Sequence, residues 1–378
     1  MIDRKIIENI LEKYGSEVSI GCIGSHSALD ISRGAKMHGF KTIVVCQKGR
    51  EKTYQKYFFR KKFFDIDSGC IDEVVVLEKF KDVLRDDVQE MLIDRHVIFI
   101  PHRSFAVYVG YDGIENQFKI PIFGNRYLLK VEERDAPRNQ YYLLRKAGIR
   151  TPLIFKDYTE IDRVCIVKVS EAERRYERAF FIVSSPKEFE EISRKMVREG
   201  KIREESLKNA VIEEFIVGAQ FNFNFFYSPL LDEIELMGID TRRQTNLEGI
   251  LRLPSSWQNK VLEKIRIKFI EVGHIACTLR ESLLEKVFEF GERFIKTVKK
   301  EYPPGIIGPF ALQGAVVPGP PREEIVIFDV SLRVPGSPGT PYTPYTFYKW
   351  SRNISVGERI AMEIKYGLKL DLLDRLVT

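Results

Sequence analysis

Residues 305–316 read GIIGPFALQGAV, and residues 323–340 read EEIVIFDVSLRVPGSPGT. Each stretch contains an apolar run of strand length, and the proline- and glycine-rich residues between them predict turns. Gln313 ends the first run and Asp329 lies inside the second. If the two runs pair as neighbouring strands, an amide oxygen and a carboxylate meet at one point, and such oxygens suit Mg²⁺ held against the phosphates of a nucleotide. Arg333 follows closely enough to touch the same phosphates.

The composition is that of a globular protein rather than a membrane or nucleic-acid-binding protein. The chain has 378 residues, with 44% hydrophobic and 30% charged residues, so two or three lobes are expected. No apolar run approaches the roughly 18 residues that span a bilayer, and the N-terminus predicts an amphipathic helix rather than a signal peptide. We therefore expect a cytoplasmic protein without a membrane partner.

The net charge of +6 is modest, and most lysines and arginines are scattered. Basic patches at residues 60–62 and 296–300 are typical of solvated faces, whereas nucleic-acid binding needs a basic stripe. A positive cleft that attracts phosphorylated metabolites fits the same charge. No nucleic-acid partner is expected.

The first third of the chain alternates predicted strands with predicted helices. Strands are expected at residues 18–23, 41–45, 73–77 and 97–100, with helices at 27–38 and 83–93. This alternation predicts right-handed βαβ units and a parallel sheet, which binds ligands at the carboxyl ends of its strands. Two polar loops fall there, GSHS at residues 24–27 and PHRS at 101–104, so His26 and Ser104 are candidate substrate or phosphate ligands. Alternatively, a serine of the first loop only caps the helix.

The rest of the chain predicts an α+β region with a large sheet. Strands are expected at residues 164–169, 179–183 and 210–217, with helices at 138–148 and 186–199. Residues 221–227 and 233–239 predict an antiparallel pair. Residues 257–298 have a helical pattern interrupted near 272–278, and helices are expected at 356–366 and 370–376.

Several charged residues in this region are candidate ligands. Lys168 ends an apolar strand and either reaches the phosphates of a nucleotide or extends to solvent at an edge. Glu213 and Glu214 lie inside another apolar strand, although acids are seldom buried without a partner. His274 is either a structural histidine or a ligand. Arg280 either forms a surface ion pair with Glu281 or lines a substrate site.

Taken together, these residues resemble the archaeal formate-dependent ATP-grasp ligases of purine biosynthesis, the FAICAR synthetases. The resemblance covers nearly the whole chain. It rests on the segments GSHSALDI, KGREKTY, PHRSFAVYVG, IPIFGNR, AGIRTP, IEEFIVGAQF, FYSPLLDEIELMGID, RESLLEKVFEFG, PPGIIGPFALQG and FDVSLRV in this order.

The resemblance implies an α/β and α+β chain: an ATP-grasp fold with an N-terminal, Rossmann-like parallel-sheet domain. It implies three domains, at residues 1–126 for the substrate side, 127–212 for the small lobe and 213–378 for the large lobe with the metal site. It also implies conversion of AICAR, formate and ATP to FAICAR, ADP and phosphate through formyl phosphate, by a homo-oligomer.

Site residues follow from the same resemblance. The implied substrate ligands are His26, Ser104, His274 and Arg280. The implied ATP ligands are Lys168, Glu213, Glu214, Phe215, Val217, Gln244 and Arg333. Gln313 and Asp329 are the implied ligands of Mg²⁺ or Mn²⁺, two hard ions that accept the same oxygens.

The chain also departs from the family pattern. Residues 170–178, SEAERRYER, contain no glycine where the family has a glycine-rich loop over the phosphates. Gln244 replaces a glutamate that contacts ATP, His274 replaces a substrate asparagine, and Asp329 replaces a metal-binding glutamate. The run after the last arginine reads GSPGT at residues 336–340. These departures favour a diverged paralogue and leave two other hypotheses open: a ligase with another acid or amine, and an inactive metabolite-binding protein.

Overall fold

The computed structural model describes residues 1–133, 136–169, 180–265, 271–319 and 321–378. Within these ranges the chain forms two four-stranded sheets, one five-stranded sheet and a two-stranded hairpin. No helix of the described ranges combines the length and apolar character needed to cross a membrane. Single turns of 3₁₀ or π helix lie at Thr53–Tyr57, Phe80–Leu84, Arg126–Leu128, Lys130–Glu132, Tyr158–Glu160, Thr340–Tyr342 and Leu373–Leu376.

The N-terminal third forms a parallel sheet. Its strands, and those of the small hairpin, are β1 (Ser19–Ile23), β2 (Lys41–Gln47), β3 (Lys61–Phe63), β4 (Ile66–Ser68), β5 (Glu73–Leu77) and β6 (Val97–Phe99). The sheet order is β5-β2-β1-β6 and every pairing is parallel, which confirms the predicted βαβ arrangement. All five residues of β1 are buried, because helices cover the sheet.

The helices of this region are α1 (Arg4–Tyr14), α2 (Ala28–Met37), α3 (Asp86–Asp94), α4 (Arg103–Val109) and α5 (Tyr111–Asn116). The single helix predicted over residues 83–93 is wrong in one respect. Arg85 has an extended backbone, with φ −65° and ψ 140°, and it separates a 3₁₀ turn from α3.

The middle of the chain forms an antiparallel sheet with its own core. Its elements are α6 (Gln140–Lys146), β7 (Ile154–Phe155), β8 (Cys165–Lys168), β9 (Phe180–Val183), α7 (Pro186–Arg198), α8 (Glu204–Leu207) and β10 (Val211–Glu214). The strand order is β7-β10-β8-β9. The predicted strand over residues 210–217 is shorter in the structure, since β10 ends at Glu214.

The last third forms a five-stranded antiparallel sheet. Its elements are β11 (Ala219–Ser228), β12 (Glu233–Gln244), α9 (Thr245–Leu251), α10 (Ser255–Leu262), β13 (Glu271–Cys277), α11 (Glu281–Glu301), β14 (Gly308–Val317), β15 (Glu324–Ser331), α12 (Tyr345–Trp350) and α13 (Val356–Lys369). The order β13-β12-β11-β14-β15 contains the predicted pair of β11 and β12. The predicted interruption near residues 272–278 is the edge strand β13.

One face of this sheet is apolar and the other carries polar side chains. Phe225 stacks on Phe310 with ring centroids 5.1 Å apart, and Phe294 of α11 lies 6.2 Å from Phe310. Along β11 the side chains alternate, so that Asn222 and Asn224 lie on the face opposite these aromatic rings. The polar face is the one that holds the candidate site.

The C-terminal helix α13 returns to the N-terminal sheet and packs across α2. Gly34 and Gly357 lie at the crossing, where a Cβ on Gly34 would stand 2.2 Å from the backbone nitrogen of Glu358. The absence of side chains at both positions lets the two helices approach closely. The first and last parts of the chain therefore share one core.

Candidate active site

The two polar loops that follow β1 and β6 converge, as predicted. The Ser104 hydroxyl donates a hydrogen bond to the Ser25 hydroxyl at 3.0 Å. The rings of His26 and His102 stack with centroids 5.3 Å apart and an angle of 10° between their planes. The loops thus form one polar wall of a crevice at the carboxyl ends of the parallel strands.

His102 is the buried support of this wall. Its Nε2–H donates to the Ile23 carbonyl at 2.8 Å, and this bond fixes the orientation of the ring. The side chain is fully buried. Burial and the neighbouring Arg333 lower the pKa of His102 to about 4, although the bond to Ile23 opposes them. A neutral His102 therefore stacks beneath His26.

His26 faces the crevice from a backbone with φ 51°. Its Nδ1 pairs with the Ser27 hydroxyl at 2.7 Å, and that hydroxyl donates to the Pro335 carbonyl at 2.8 Å. Partial burial of the ring, together with the charge of Arg333, lowers its pKa. The ring keeps access to solvent at the mouth of the crevice, which weakens the effect of burial. His26 is consequently neutral near pH 7 and able to bind a ligand by hydrogen bonding.

Two arginines reach this wall and share a buried acid. Glu132 Oε2 lies 3.6 Å from Arg103 Nη1, and Glu132 Oε1 lies 3.4 Å from Arg333 Nε. Glu132 Oε1 also accepts the backbone N–H of Leu332 at 2.7 Å. Burial raises the pKa of the Glu132 carboxyl, and the two arginines oppose that effect. Arg333, predicted to touch phosphates, thus joins this crevice to the large sheet.

The predicted pairing of Gln313 and Asp329 is confirmed, because these two residues are direct partners in the register of β14 and β15. Gln313 is buried, and its amide nitrogen donates to the Ser331 hydroxyl at 2.9 Å, so its Oε1 points the other way. Arg242 Nη2 donates to that oxygen and lies 4.0 Å from Asp329 Oδ2. The two oxygens therefore already face a shared cation.

The residues present fit a hard metal ion only in part. Gln313 and Asp329 offer an amide and a carboxylate oxygen, as Mg²⁺ prefers. Within the described ranges, no three histidine, cysteine, aspartate or glutamate side chains are grouped to hold a metal. A metal at this pair would thus take its other ligands from nucleotide phosphates and water, as Mg²⁺ usually does in nucleotide sites.

A row of buried polar side chains, formed by Asn222, Asn224 and Asp240, lies beside this pair and was not predicted from the sequence. We call it the polar row. Asn222 is the register partner of both Gln313 and Asp240. Asn222 donates to Asp240 Oδ2 at 2.8 Å, and Asn224 donates to Asp240 Oδ1 at 2.6 Å. The alternation in the segment FNFNF at residues 221–225 carried the signal, since it places two asparagines opposite a row of phenylalanines.

His274 ends this row and was predicted only as one of two alternatives. Its Nδ1 contacts Asp240 Oδ2, and its Nε2 lies 2.7 Å from Glu271 Oε1. Because both ring nitrogens face carboxylate oxygens, both carry protons and the ring is an imidazolium. Burial alone would lower the pKa of His274, but the bonds to Asp240 and Glu271 outweigh it and raise the pKa to about 9.

Gly336 connects His274 to the crevice wall. A Cβ at this position would lie 3.0 Å from His26 Nε2 and 3.5 Å from His274 Nε2. The next residue, Ser337, donates to Asp240 Oδ1 at 2.9 Å. The two histidines thus flank the same stretch of backbone, and the structure brings His26, Ser104, Arg333 and His274 to one crevice.

Lys168 is buried and does not extend to solvent at an edge. Its ammonium forms an ion pair with Glu213 Oε1 and contacts the Tyr141 hydroxyl at 3.4 Å. The Tyr141 hydroxyl donates to Glu213 Oε2 at 2.6 Å. The buried acid predicted in this strand therefore has a lysine partner, and this pair stays a predicted nucleotide contact.

The remaining predicted residues are more dispersed. Glu214 is partly buried, with Oε2 accepting the Leu153 N–H at 3.3 Å. Phe215 donates its N–H to the Val164 carbonyl at 2.9 Å, and the side chain of Val217 is exposed. Gln244 ends β12 as the register partner of Glu271.

Arg280 is placed apart from the polar row. It forms an exposed ion pair with Glu323, which precedes β15. The segment without glycine, residues 170–178, lies outside the described residues.

Comparison with known proteins places this fold in a class. A crystal structure of N5-carboxyaminoimidazole synthetase from Staphylococcus aureus, complexed with ADP, is 13% identical with a TM-score of 0.57 over 92% of this chain and 77% of that one. This likeness shows the fold, which is that of the ATP-grasp proteins, and it confirms the predicted fold class.

The particular family follows from closer relatives. The chain belongs to the family of 5-formaminoimidazole-4-carboxamide-1-(beta)-D-ribofuranosyl 5'-monophosphate synthetases: the relative of this name from Methanopyrus kandleri is 38% identical over 100% of both chains. The crystal structure of an IMP biosynthesis protein, PurP, from Thermococcus kodakaraensis is 29% identical with a TM-score of 0.69, over 95% of this chain and 100% of that one. Two family models also match: a protein of unknown function (DUF1246) over residues 20–155 and a domain of unknown function (DUF1297) over residues 188–378.

Proposed function

We propose that this protein is an ATP-dependent carbon–nitrogen ligase that formylates the amine of AICAR with formate and releases FAICAR, ADP and phosphate. The observation that carries the proposal is that the candidate metal pair and the candidate substrate residues lie on one polar surface. The Gln313–Asp329 pair lies at one end of the polar row, and His274, beside His26, lies at the other. The names of the full-length relatives support the same product.

The reaction has two balanced steps. A formate oxygen attacks the γ-phosphorus of ATP, the bond to the β,γ-bridging oxygen breaks, and ADP leaves with the electron pair. The amine nitrogen then attacks the formyl carbon, the bond between that carbon and the phosphate oxygen breaks, and phosphate leaves while the nitrogen loses a proton. Such a sequence needs positioning and charge neutralisation more than covalent help from the protein.

The residues of this chain have distinct proposed roles. Lys168 and Arg333 neutralise phosphate charge, and the segment from Glu213 to Val217, with Gln244, binds the nucleoside. Gln313 and Asp329 hold Mg²⁺ or Mn²⁺, which supplies charge neutralisation at the phosphates when bound. The roles proposed for the crevice are substrate binding by His26, Ser104 and His274, with Arg280 at the periphery.

The test is a direct assay of purified protein with ATP, Mg²⁺, formate and AICAR. We expect release of ADP and phosphate that requires both formate and AICAR, together with FAICAR identified by mass spectrometry. ADP release with another acid or amine in a substrate panel would instead support the altered-ligase hypothesis. Binding of AICAR without turnover would support the inactive binding protein.

A further inference from the structure

The carboxylate of Glu271 lies between two cations at the polar end of β12 and β13. Its Oε1 is 2.7 Å from His274 Nε2, and its Oε2 is 2.9 Å from Arg242 Nε. His274 is an imidazolium because its other nitrogen faces Asp240. A hydrogen bond from the imidazolium to one oxygen and an ion pair with the guanidinium at the other suit a carboxylate at this position.

This carboxylate position lies between the proposed metal pair and the crevice proposed to bind the amine substrate. The other end of Arg242 contacts Gln313 Oε1 and lies 4.0 Å from Asp329 Oδ2, the proposed metal pair. On the opposite side, His274 Nε2 adjoins Gly336, which also adjoins His26. A carboxylate at this point therefore lies between two sites. The Arg242 side chain separates it from the proposed metal pair, and Gly336 separates it from the crevice that contains His26.

The side chain of Glu271 is the most exposed of these three. Its side chain is 39% exposed, whereas those of His274 and Arg242 are 12% and 21% exposed. It projects from the edge strand β13, at the first residue of that strand. By contrast, His274 is anchored by Asp240, which is 1% exposed and also held by Asn222, Asn224 and Ser337. His274 is thus fixed in place, whereas the carboxylate that it contacts lies at the exposed edge of the sheet.

We propose that His274 and Arg242 form the binding site of the carboxylic acid substrate, and that Glu271 occupies this site in the unliganded protein as an internal competitor. The proposal rests on the ligase function proposed above, which requires a carboxylate next to the nucleotide phosphates. Exchange of one carboxylate for another leaves the local charge unchanged. An acid of formate size can pair with both cations and leaves the buried polar row in place.

The distinguishing variant is Glu271→Gln, which keeps the shape of the side chain and removes its charge. If Glu271 holds the site in about nine molecules out of ten, its neutralisation tightens formate binding about tenfold. We therefore expect the KM for formate to fall about tenfold while the KM for ATP is unchanged. Glu263→Gln, which removes an exposed charge after α10, is the matched control and leaves both constants unchanged.

The second variant removes a cation. His274→Asn is expected to raise the KM for formate by about tenfold or more, because it removes the charged donor that faces one carboxylate oxygen. A structural role alone would lower stability or kcat without this selective change in the KM for formate. Circular dichroism of both variants verifies that they are folded.

A binding measurement makes the outcome independent of turnover. Titration of the protein with ¹³C-formate, followed by NMR in the presence of ADP and Mg²⁺, gives a Kd for formate directly. A tenfold lower Kd in Glu271→Gln supports the inference even if no ligase activity is found, which would count only against the proposed function. An unchanged or higher Kd and KM for formate in Glu271→Gln would overturn the inference, whatever the activity.

Discussion

His274 makes the stability of this protein depend on pH in a defined direction. Contacts with Asp240 and Glu271 raise its pKa to about 9, above the ordinary 6.5 of the unfolded chain. A raised pKa adds stability that is fully present below pH 6.5 and is lost as the pH rises through 9. The size of this contribution is at most about 3 kcal/mol, at 1.36 kcal/mol per pKa unit.

The matching measurement compares wild type with His274→Asn in urea denaturation at pH 6.5 and at pH 9.5. We expect the free energy of unfolding of the wild type to fall more steeply over this interval, since asparagine does not titrate. Titration of all other groups is common to both proteins and cancels in the difference. Equal pH slopes would show that His274 is not held as an imidazolium.

Asp329 provides a test of the proposed metal pair. Asp329→Asn keeps an oxygen opposite Gln313 but removes the charge that favours a divalent cation. We expect the Mg²⁺-dependent part of the affinity for ATP to fall at least tenfold, which is about 1.4 kcal/mol. Calorimetric titrations with and without Mg²⁺ separate this part from the rest, and Asp67→Asn on the exposed hairpin is the control. Affinity for ATP that falls equally without Mg²⁺ would argue against a metal role.

Sequence reasoning at this scale succeeded where a side chain is placed by a strand and failed where it is placed by tertiary contact. Gln313 and Asp329 were predicted as neighbours because two apolar runs joined by a turn fix which residues pair. Glu132 gave no signal, because it lies in an irregular segment and acquires its role only when Arg103 and Arg333 arrive from distant parts of the chain. Asp240 was not predicted as a site residue, because its partners lie on two strands, β11 and β13, and in the loop that contains Ser337.

At the scale of elements, the predicted strands match the structure best where helices bury them. β1 differs from its prediction by one residue, since it is buried throughout. β13 has only partly buried or exposed residues, and its identity as an edge strand depends on pairing with β12 rather than on its own pattern. The alternation of apolar and polar residues in a half-exposed edge strand is too weak to be recognised in the sequence between two amphipathic helices, α10 and α11.

The crossing of α2 and α13 yields a prediction about glycine. A Cβ on Gly357 would lie 2.2 Å from the carbonyl oxygen of Asp30, which is backbone and cannot rotate away. Gly357→Ala therefore forces the two helices apart, and we expect a loss of about 1–3 kcal/mol, the usual range for overpacking. Chemical denaturation of the variant measures this loss.

Gly249→Ala in α9 is the matched control, because a Cβ there meets no atom within 4 Å. In a helix interior, alanine is favoured over glycine by roughly 0.5–1 kcal/mol, so this variant should be as stable as wild type or slightly more stable. If both variants behaved alike, the close approach at Gly357 would not be responsible for the effect.

At the scale of the whole molecule, the return of α13 to the first sheet was not predictable from sequence patterns. The helix itself was predicted, but its partner α2 lies more than 300 residues earlier. Periodicity identifies the apolar side of a helix and not the surface that covers it. The boundaries of the three domains and the homo-oligomeric state stay predictions, and sedimentation velocity at several concentrations measures the oligomeric state.

A buried charge cluster fastens α13 to the large sheet. The Arg359 guanidinium is 1% exposed and pairs with Glu235 at 2.8 Å and Glu363 at 2.8 Å. The same guanidinium lies 4.3 Å from the centroid of the Phe226 ring. Trp350 donates to Glu235 at 3.0 Å, so the two acids depend on donors from several elements. Because α13 also packs on α2, this cluster connects the first sheet with the last.

Removal of the cation should therefore unfold more than one element. Arg359→Met leaves Glu235 and Glu363 buried without a counter-charge, and breaking a buried pair in this way costs about 3–5 kcal/mol. Guanidinium denaturation should show this loss, whereas Lys349→Met, which breaks the more exposed pair with Glu233, should cost less than about 1 kcal/mol. Restoring stability in the triple variant Arg359→Met, Glu235→Gln, Glu363→Gln would confirm that the stranded charges cause the loss. A triple variant as unstable as the single one would assign the effect to lost packing against Phe226 instead.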